Sequence, residues 1–141
     1  MNKLNNKGQS LFLFIIFIPI FIMLCAFVVD IGIAKVTSNK LDDLSKMVLN
    51  YGLKHINDNP YDEIINLINK NDSNIEKYDL KIDEVNRKID IVLTKNTNGY
   101  FSSIVGKNKY NVSSNFTGYI NEDGSFIIER VVTKWKRTQQ K

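Results

Sequence analysis

Residues Leu11–Val29 form an unbroken run of nineteen apolar positions without a charge. At a rise of about 1.5 Å per residue, a helix over this run reaches roughly 29 Å, close to the roughly 30 Å hydrocarbon core of a bilayer. Leu, Ile, Phe and Val each contribute roughly −0.3 to −0.6 kcal/mol to insertion, so the pattern predicts a membrane-spanning helix. Pro19 sits inside the run, and membrane helices tolerate a proline that would break a helix in water. Beyond Asp30 the pattern changes. Apolar positions fall at Ile33, Leu41, Leu44, Val48 and Tyr51 with His55 in register, and the alternating three- and four-residue steps from Leu41 predict a single stripe on a continuing helix. Lys40, Asp42, Asp43, Lys46 and Asn50 take the wet side. The helix is expected from about Ser10 to Asn57, a rod on the order of 70 Å. Its stripe packs either on the chain's own soluble part or on a neighbouring subunit, and two heptads do not separate these options.

Asn57-Asp58-Asn59-Pro60 ends the rod, because the residue before proline is pushed out of the helical region. Pro60 then suits the first turn of a second helix, capped by Asp58 or Asn59, with Asp62 and Glu63 near its positive end. Ile64, Ile65, Leu67 and Ile68 give that helix an apolar face before the polar stretch at residues 69–74. The period next drops to two. Tyr78, Leu80 and Ile82, then Ile89, Ile91 and Leu93 after Glu84–Lys88, alternate with polar residues as one face of a hairpin. Asn96-Thr97-Asn98-Gly99 breaks it, Tyr100–Val105 forms a helical turn, and a second hairpin runs from Tyr110 to Ile120 and from Phe126 to Thr133 around Asn121–Gly124.

The expected fold class is α+β: one transmembrane helix, its amphipathic extension, and a small antiparallel sheet covered on one side by helix. The corresponding divisions are a tail at 1–10, a membrane helix at 11–33, the extension at 34–57, an α+β module at 58–133 and a basic tail at 134–141. The soluble apolar residues are few, so the core is small and leans on the long helix or a partner.

Charge and cysteine content refine this only at the ends. Lys134, Lys136, Arg137 and Lys141 carry as much positive charge as the whole formal net charge of +4, so residues 1–133 are neutral overall. That composition fits a solvated tail and shows no basic face for nucleic acid. The apolar run exceeds the length of a signal-peptide core, and Val28-Val29-Asp30-Ile31-Gly32 offers no small-residue cleavage site. Leu24 before the lone Cys25 is too large for a lipoprotein signal, and a single cysteine forms no intrachain disulfide. With Lys3 and Lys7 in a short flank, the expected orientation has a cytoplasmic N-terminus and an extracytoplasmic module.

Catalytic chemistry is absent from the pattern. His55 and Cys25, single representatives of their types, cannot meet in one pocket if one sits in the membrane and the other at the end of the rod. His55 reads as a core or rim residue at a helix terminus, where a cation suits the negative end of the dipole. Asp42/Asp43 and Asp62/Glu63 read as solvated faces, and the glycines lie at isolated turns without a phosphate loop. Asn111-Val112-Ser113 and Asn115-Phe116-Thr117 match a glycosylation sequon of low specificity. No enzyme activity, cofactor, metal or small-molecule substrate is expected. Asp30, directly after the apolar run, reads as a boundary marker at headgroup level or as a contact to another subunit within the membrane.

Lys7-Gly8-Gln9-Ser10, the apolar run with its internal Pro19, Val29-Asp30-Ile31-Gly32 and the following amphipathic helix resemble the TadE/TadG-like proteins of the Flp (tight-adherence) pilus assembly system. The resemblance covers about Lys7–Leu53, and the hairpins are compatible with the pseudopilin-like module of TadE members. It implies a structural or assembly role in a Flp-type pilus or type II-related secretion apparatus, with other assembly proteins and the bilayer as partners. It also implies prepilin-type processing between Gly8 and Gln9, membrane-helix contacts at Pro19 and Asp30, and a helix-stripe interface at Leu41, Leu44, Val48 and Tyr51. One departure matters. TadE-type prepilins carry Glu at the fifth position after the cleaved Gly, where this chain has Leu13, and in this it agrees with TadG-like members. The alternative reading is a membrane-tethered extracytoplasmic sensor or ligand-binding module unrelated to pili.

Overall fold

The computed structural model describes residues 6–132 except 105, 107 and 108. The basic tail at 134–141 therefore lies outside the described residues, as do residues 1–5 of the N-terminal tail and Val105 of the expected helical turn. The fold is α+β. Helix α1 (Asn6–Lys54) runs unbroken through Pro19, and α2 (Tyr61–Asn71) follows after a short 3-10 turn at Ile56–Asp58. Strands β1 (Lys77–Asp83) and β2 (Lys88–Asn98), the short helix α3 (Tyr100–Ile104), β3 (Lys109–Ile120) and β4 (Phe126–Arg130) complete the chain. The strands form one antiparallel meander in the order β1-β2-β3-β4. Register pairs Leu80 with Ile91, Ile91 with Phe116, and Gly118 with Ile128, so the apolar positions of all four strands line one face.

That face is covered by the second half of α1. Leu41, Leu44, Val48, Leu49 and Leu53 are buried against Ile89, Ile91, Leu93, Val112 and Phe116, with Ile56, Ile64 and Ile68 closing the end of the core. The stripe is thus wider than expected and rotated toward Ser45, Leu49, Gly52 and Leu53, while Tyr51 is only half-buried. Glycine belongs to the buried face at position 52 because α2 and the sheet come too close for a side chain there. A Cβ on Gly52 would lie 2.7 Å from Ile64 Cδ1 and 2.8 Å from Ile89 Cδ1, and one on Gly118 would lie 3.0 Å from Leu53 Cδ1. Between the same two elements the buried hydroxyls of Ser45 and Ser114 satisfy each other at 3.0 Å.

Four local expectations change. Asn96-Thr97-Asn98 does not break the strand: β2 runs through it, pairing Asn96 with Asn111, Thr97 with Tyr110 and Asn98 with Lys109. The helix stops at Lys54, not Asn57, because the chain turns at His55 to return Ile56 to the core. Neither Asp58 nor Asn59 caps α2: Asn59 closes the 3-10 turn in a left-handed conformation (φ 49°), and Pro60 itself occupies the capping position. Asp42 is not on a solvated face. Its carboxylate accepts two hydrogen bonds from Arg130 Nη2, at 2.6 and 2.5 Å, and ties β4 to α1. Arg130 also lies over the Phe116 ring, 5.6 Å from its centroid.

Strand and helix directions put the elements in order along α1. Tyr110, at the start of β3, reaches Asp30, Ser114 meets Ser45, and Gly118 meets Leu49 and Leu53. β3 therefore climbs away from the apolar segment, β2 descends toward it, and α3 joins them at the lower end. The β1–β2 turn lies at the upper end, beside Gly118.

Candidate functional site

The first half of α1 has no packing partner among the described residues over most of its length. Leu11–Leu24 present apolar side chains on every side, with Leu, Ile, Phe and Met between 40% and 68% exposed. An amphipathic soluble helix buries one stripe and wets the other; a helix apolar all round needs an apolar solvent or a large core. Among the described residues no core surrounds this segment, and one helix is long and apolar enough to cross a membrane. In water such an all-round apolar surface would drive association or aggregation.

At the module-side end of that segment the chain builds a latch. The Asp30 side chain is buried, and its Oδ1 accepts the backbone N–H of Tyr100 at 2.6 Å. This carboxylate supplies to α3, from 70 residues away, the capping bond that a short helix usually draws from its own preceding residue. The Asp30 carbonyl accepts the Tyr110 hydroxyl at 3.1 Å. Burial, then the negative charge of Asp30, hold the Tyr110 phenol above its ordinary pKa against a weaker opposing contribution from Thr97, so it remains a donor at neutral pH. One turn below, Phe27 meets Phe101 edge-to-face with centroids 5.4 Å apart. Within α3, the Ser103 hydroxyl donates to the Gly99 carbonyl at 2.7 Å and tightens the turn.

A second group of contacts closes the far end of the rod. The Tyr51 hydroxyl donates to the Glu63 carboxylate, which holds the phenol proton on and raises its pKa. His55 stacks on Tyr51 at 4.5 Å and its Nδ1 lies 3.0 Å from the Tyr51 carbonyl, the rim position expected for it. At the end of α2, Asp72 accepts from Lys95 Nζ at 2.5 Å. Burial alone would raise this carboxyl, but Lys95, the Asn74 N–H and the charge of Lys40 outweigh it and hold the pKa below the usual value.

The residues singled out from sequence therefore separate. Gly8 is exposed near the start of α1, Gln9 follows it within the helix, and Leu13 and Pro19 are exposed on the apolar segment. Asp30 is a contact within the chain, with both its carboxylate and its carbonyl engaged by the module. Leu41, Leu44 and Val48 are core, and Tyr51 is clipped to α2, so this stripe is taken up by the chain's own fold and not left as a subunit surface. Tyr100, Phe101 and Tyr110 carry no sequence signal of this role: nothing in their local pattern reveals a partner 70 or more residues earlier. Among the described residues no group of three or more His, Cys, Asp or Glu side chains gathers as metal ligands. The arrangement these contacts build is a junction, an apolar rod braced to a folded module at the level of Asp30. No protein-family model, curated protein or solved structure matches this chain.

Proposed function

We propose that this chain is a membrane-anchored, pilin-like component of a Flp-type pilus or related secretion apparatus, with a structural or assembly role and no catalytic one. The observation that carries the reading is the division of labour along α1. One uninterrupted helix exposes apolar side chains around its first half and supplies the core of an antiparallel module with its second. A helix of this kind can pass force or position between a bilayer and an extracytoplasmic domain without a hinge. The Gly8-Gln9 pair, Pro19 and the Val29-Asp30-Ile31-Gly32 exit, in the order found in TadE/TadG-like proteins, support the same reading. Lys3 and Lys7 in the short flank favour a cytoplasmic N-terminus and an extracytoplasmic module.

Leu13 distinguishes accessory from filament roles. An acid at that position would pair with a neighbour's terminal amine in a pilin filament, and an apolar residue there favours an accessory component. Partner contacts fall to the exposed apolar segment, because the Leu41–Val48 stripe is internal. The test is purification of the full chain from native membranes. The reading expects a secretion ATPase and a polytopic platform protein to co-purify, with recovery reduced in the Leu13→Arg variant while membrane insertion by alkaline extraction stays unchanged. Absence of both assembly proteins from the wild-type preparation would contradict it in favour of a tethered sensor or ligand-binding module. The mass of the native chain reads processing separately, since a new terminus at Gln9 reports prepilin-type cleavage.

A further inference from the structure

We propose that α3 is an interfacial foot: the turn carrying Tyr100 and Phe101 dips into the lipid boundary beside α1 and fixes how deep the module sits. The inference rests on the membrane-anchoring part of the reading above and is independent of any role in pili. Depth comes first. If Leu11–Val29 fills the roughly 30 Å hydrocarbon core, Phe27 lies only about 3 Å inside its module-side boundary. Phe101 touches Phe27, so this part of the module stands level with the edge of the hydrocarbon. The groove below Phe101 is lined by Ile20, Met23, Leu24 and Phe27 and runs on into the lipid-facing surface of the helix. Seven residues separate Ile20 from Phe27, a further drop of about 10 Å along the axis.

The chemistry of the turn fits that level. Tyr100 is 67% exposed, and Tyr, with an apolar ring and a polar tip, concentrates at membrane interfaces. Burying a backbone N–H near lipid is costly unless it is paired. Asp30 removes that cost at the first residue of α3 by accepting the Tyr100 N–H, and the Ser103 side chain turns its hydroxyl back to the Gly99 carbonyl. The latch thus does two things at once: it lets a carboxylate lie at the edge of the bilayer without an empty acceptor, and it holds two aromatic rings beside the helix. The occupant of the groove is a phospholipid acyl chain, continuous with the lipid that covers the rest of the apolar segment.

Fluorescence quenching in proteoliposomes tests this on the full chain. Trp135, the single native tryptophan, is replaced (Trp135→Phe), and one tryptophan is introduced as Phe17→Trp, Phe101→Trp, Tyr100→Trp or Val85→Trp. Val85 is 92% exposed in the distal β1–β2 turn and serves as the dry-end control. Lipids brominated near the carbonyl end of the chain should quench the Phe101→Trp and Tyr100→Trp proteins most. Lipids brominated near the chain terminus should quench the Phe17→Trp protein most, and the Val85→Trp protein should keep its emission. Quenching at Phe17 with none at either Phe101 or Tyr100 overturns the foot and leaves the anchor standing. Stronger quenching of both foot positions by the deep bromines also overturns an interfacial placement. No quenching at Phe17 overturns the anchor and the foot together. Two foot positions keep the test decisive if one substitution alone disturbs the fold.

Discussion

Leu24 and Leu53 belong to the same helix, yet Leu24 is 58% exposed and Leu53 is 1% exposed. The first half of α1 is apolar around its whole circumference and, among the described residues, lacks a packed partner over most of its length; the second half is mixed in composition and sits at the centre of the core. Hydrophobicity of a segment therefore does not rank its contribution to the fold. What decides is whether protein or another solvent covers the side chains. The junction between the two regimes is narrow, and Asp30 marks it, binding across from rod to module through its side-chain carboxylate and its backbone carbonyl.

The comparison is broken most forcefully by truncating one leucine in each half. Leu53→Ala should destabilise the module by about 3 kcal/mol, since it empties a site enclosed by sheet and helix. For a soluble part of this size that shifts the thermal midpoint on the order of 10 °C or more. Leu24→Ala should leave the module's midpoint in detergent or lipid unchanged. Equal shifts in thermal unfolding monitored by near-UV dichroism would remove the distinction between the halves.

At the junction, Asp30→Ala should cost about 1 kcal/mol and release α3, seen as faster hydrogen exchange at residues 100–104 with little change in β2 and β3. Asp30→Asn, which keeps an acceptor for the Tyr100 N–H, should restore most of the protection. If both variants lose it equally, charge and not capping holds the turn. Within the module half, Ser45→Ala should cost about 1 kcal/mol because it strands the buried Ser114 hydroxyl, and adding Ser114→Ala should recover part of the loss. Strict additivity in chemical denaturation would show that the two hydroxyls do not depend on each other.

A further effect, confined to one pH range, concerns acid. Leu11–Val29 carries no titratable acid or base apart from the Cys25 thiol, so acid sensitivity belongs to the module. Asp72 has its folded pKa lowered beneath its unfolded value, so its contribution is fully present above the unfolded pKa and is lost as pH falls through the folded one. Asp72→Asn should therefore lower stability by about 1 kcal/mol at neutral pH, and the difference from wild type should shrink to nothing in strong acid. A difference that persists unchanged down to that pH would assign the effect to the shape of the side chain and not to its charge.

Much of the fold is legible in the sequence because its elements follow local periodicities. The apolar run, the switch to period two at Tyr78, the turn at Asn121–Gly124 and the short helix after Gly99 each announce themselves within a few residues. The stripe on α1 is only half legible. Ser45 and Gly52 read as polar or spacer positions, and their burial comes from the approach of β3 to Ser45 and of α2 and β2 to Gly52, which periodicity does not encode. The contacts of Asp30 with Tyr100 and Tyr110, and of Asp42 with Arg130, link residues 70, 80 and 88 apart, so each acid reads as a boundary or a wet face until the chain is folded. Pro60 suits the first turn of α2 by sequence but takes the capping position itself, because the left-handed Asn59 closes the preceding 3-10 turn.

One continuous helix joins the apolar segment to the module core through a partly exposed stretch from Ile31 to Lys40. Hydrogen exchange by mass spectrometry on the full chain in nanodiscs examines that stretch directly. The account predicts that peptides covering 31–40 stay protected, intermediate between the apolar segment and the core. Exchange there at the rate of an unstructured chain, with protection on both sides, would mean two helices and a joint, and would contradict it.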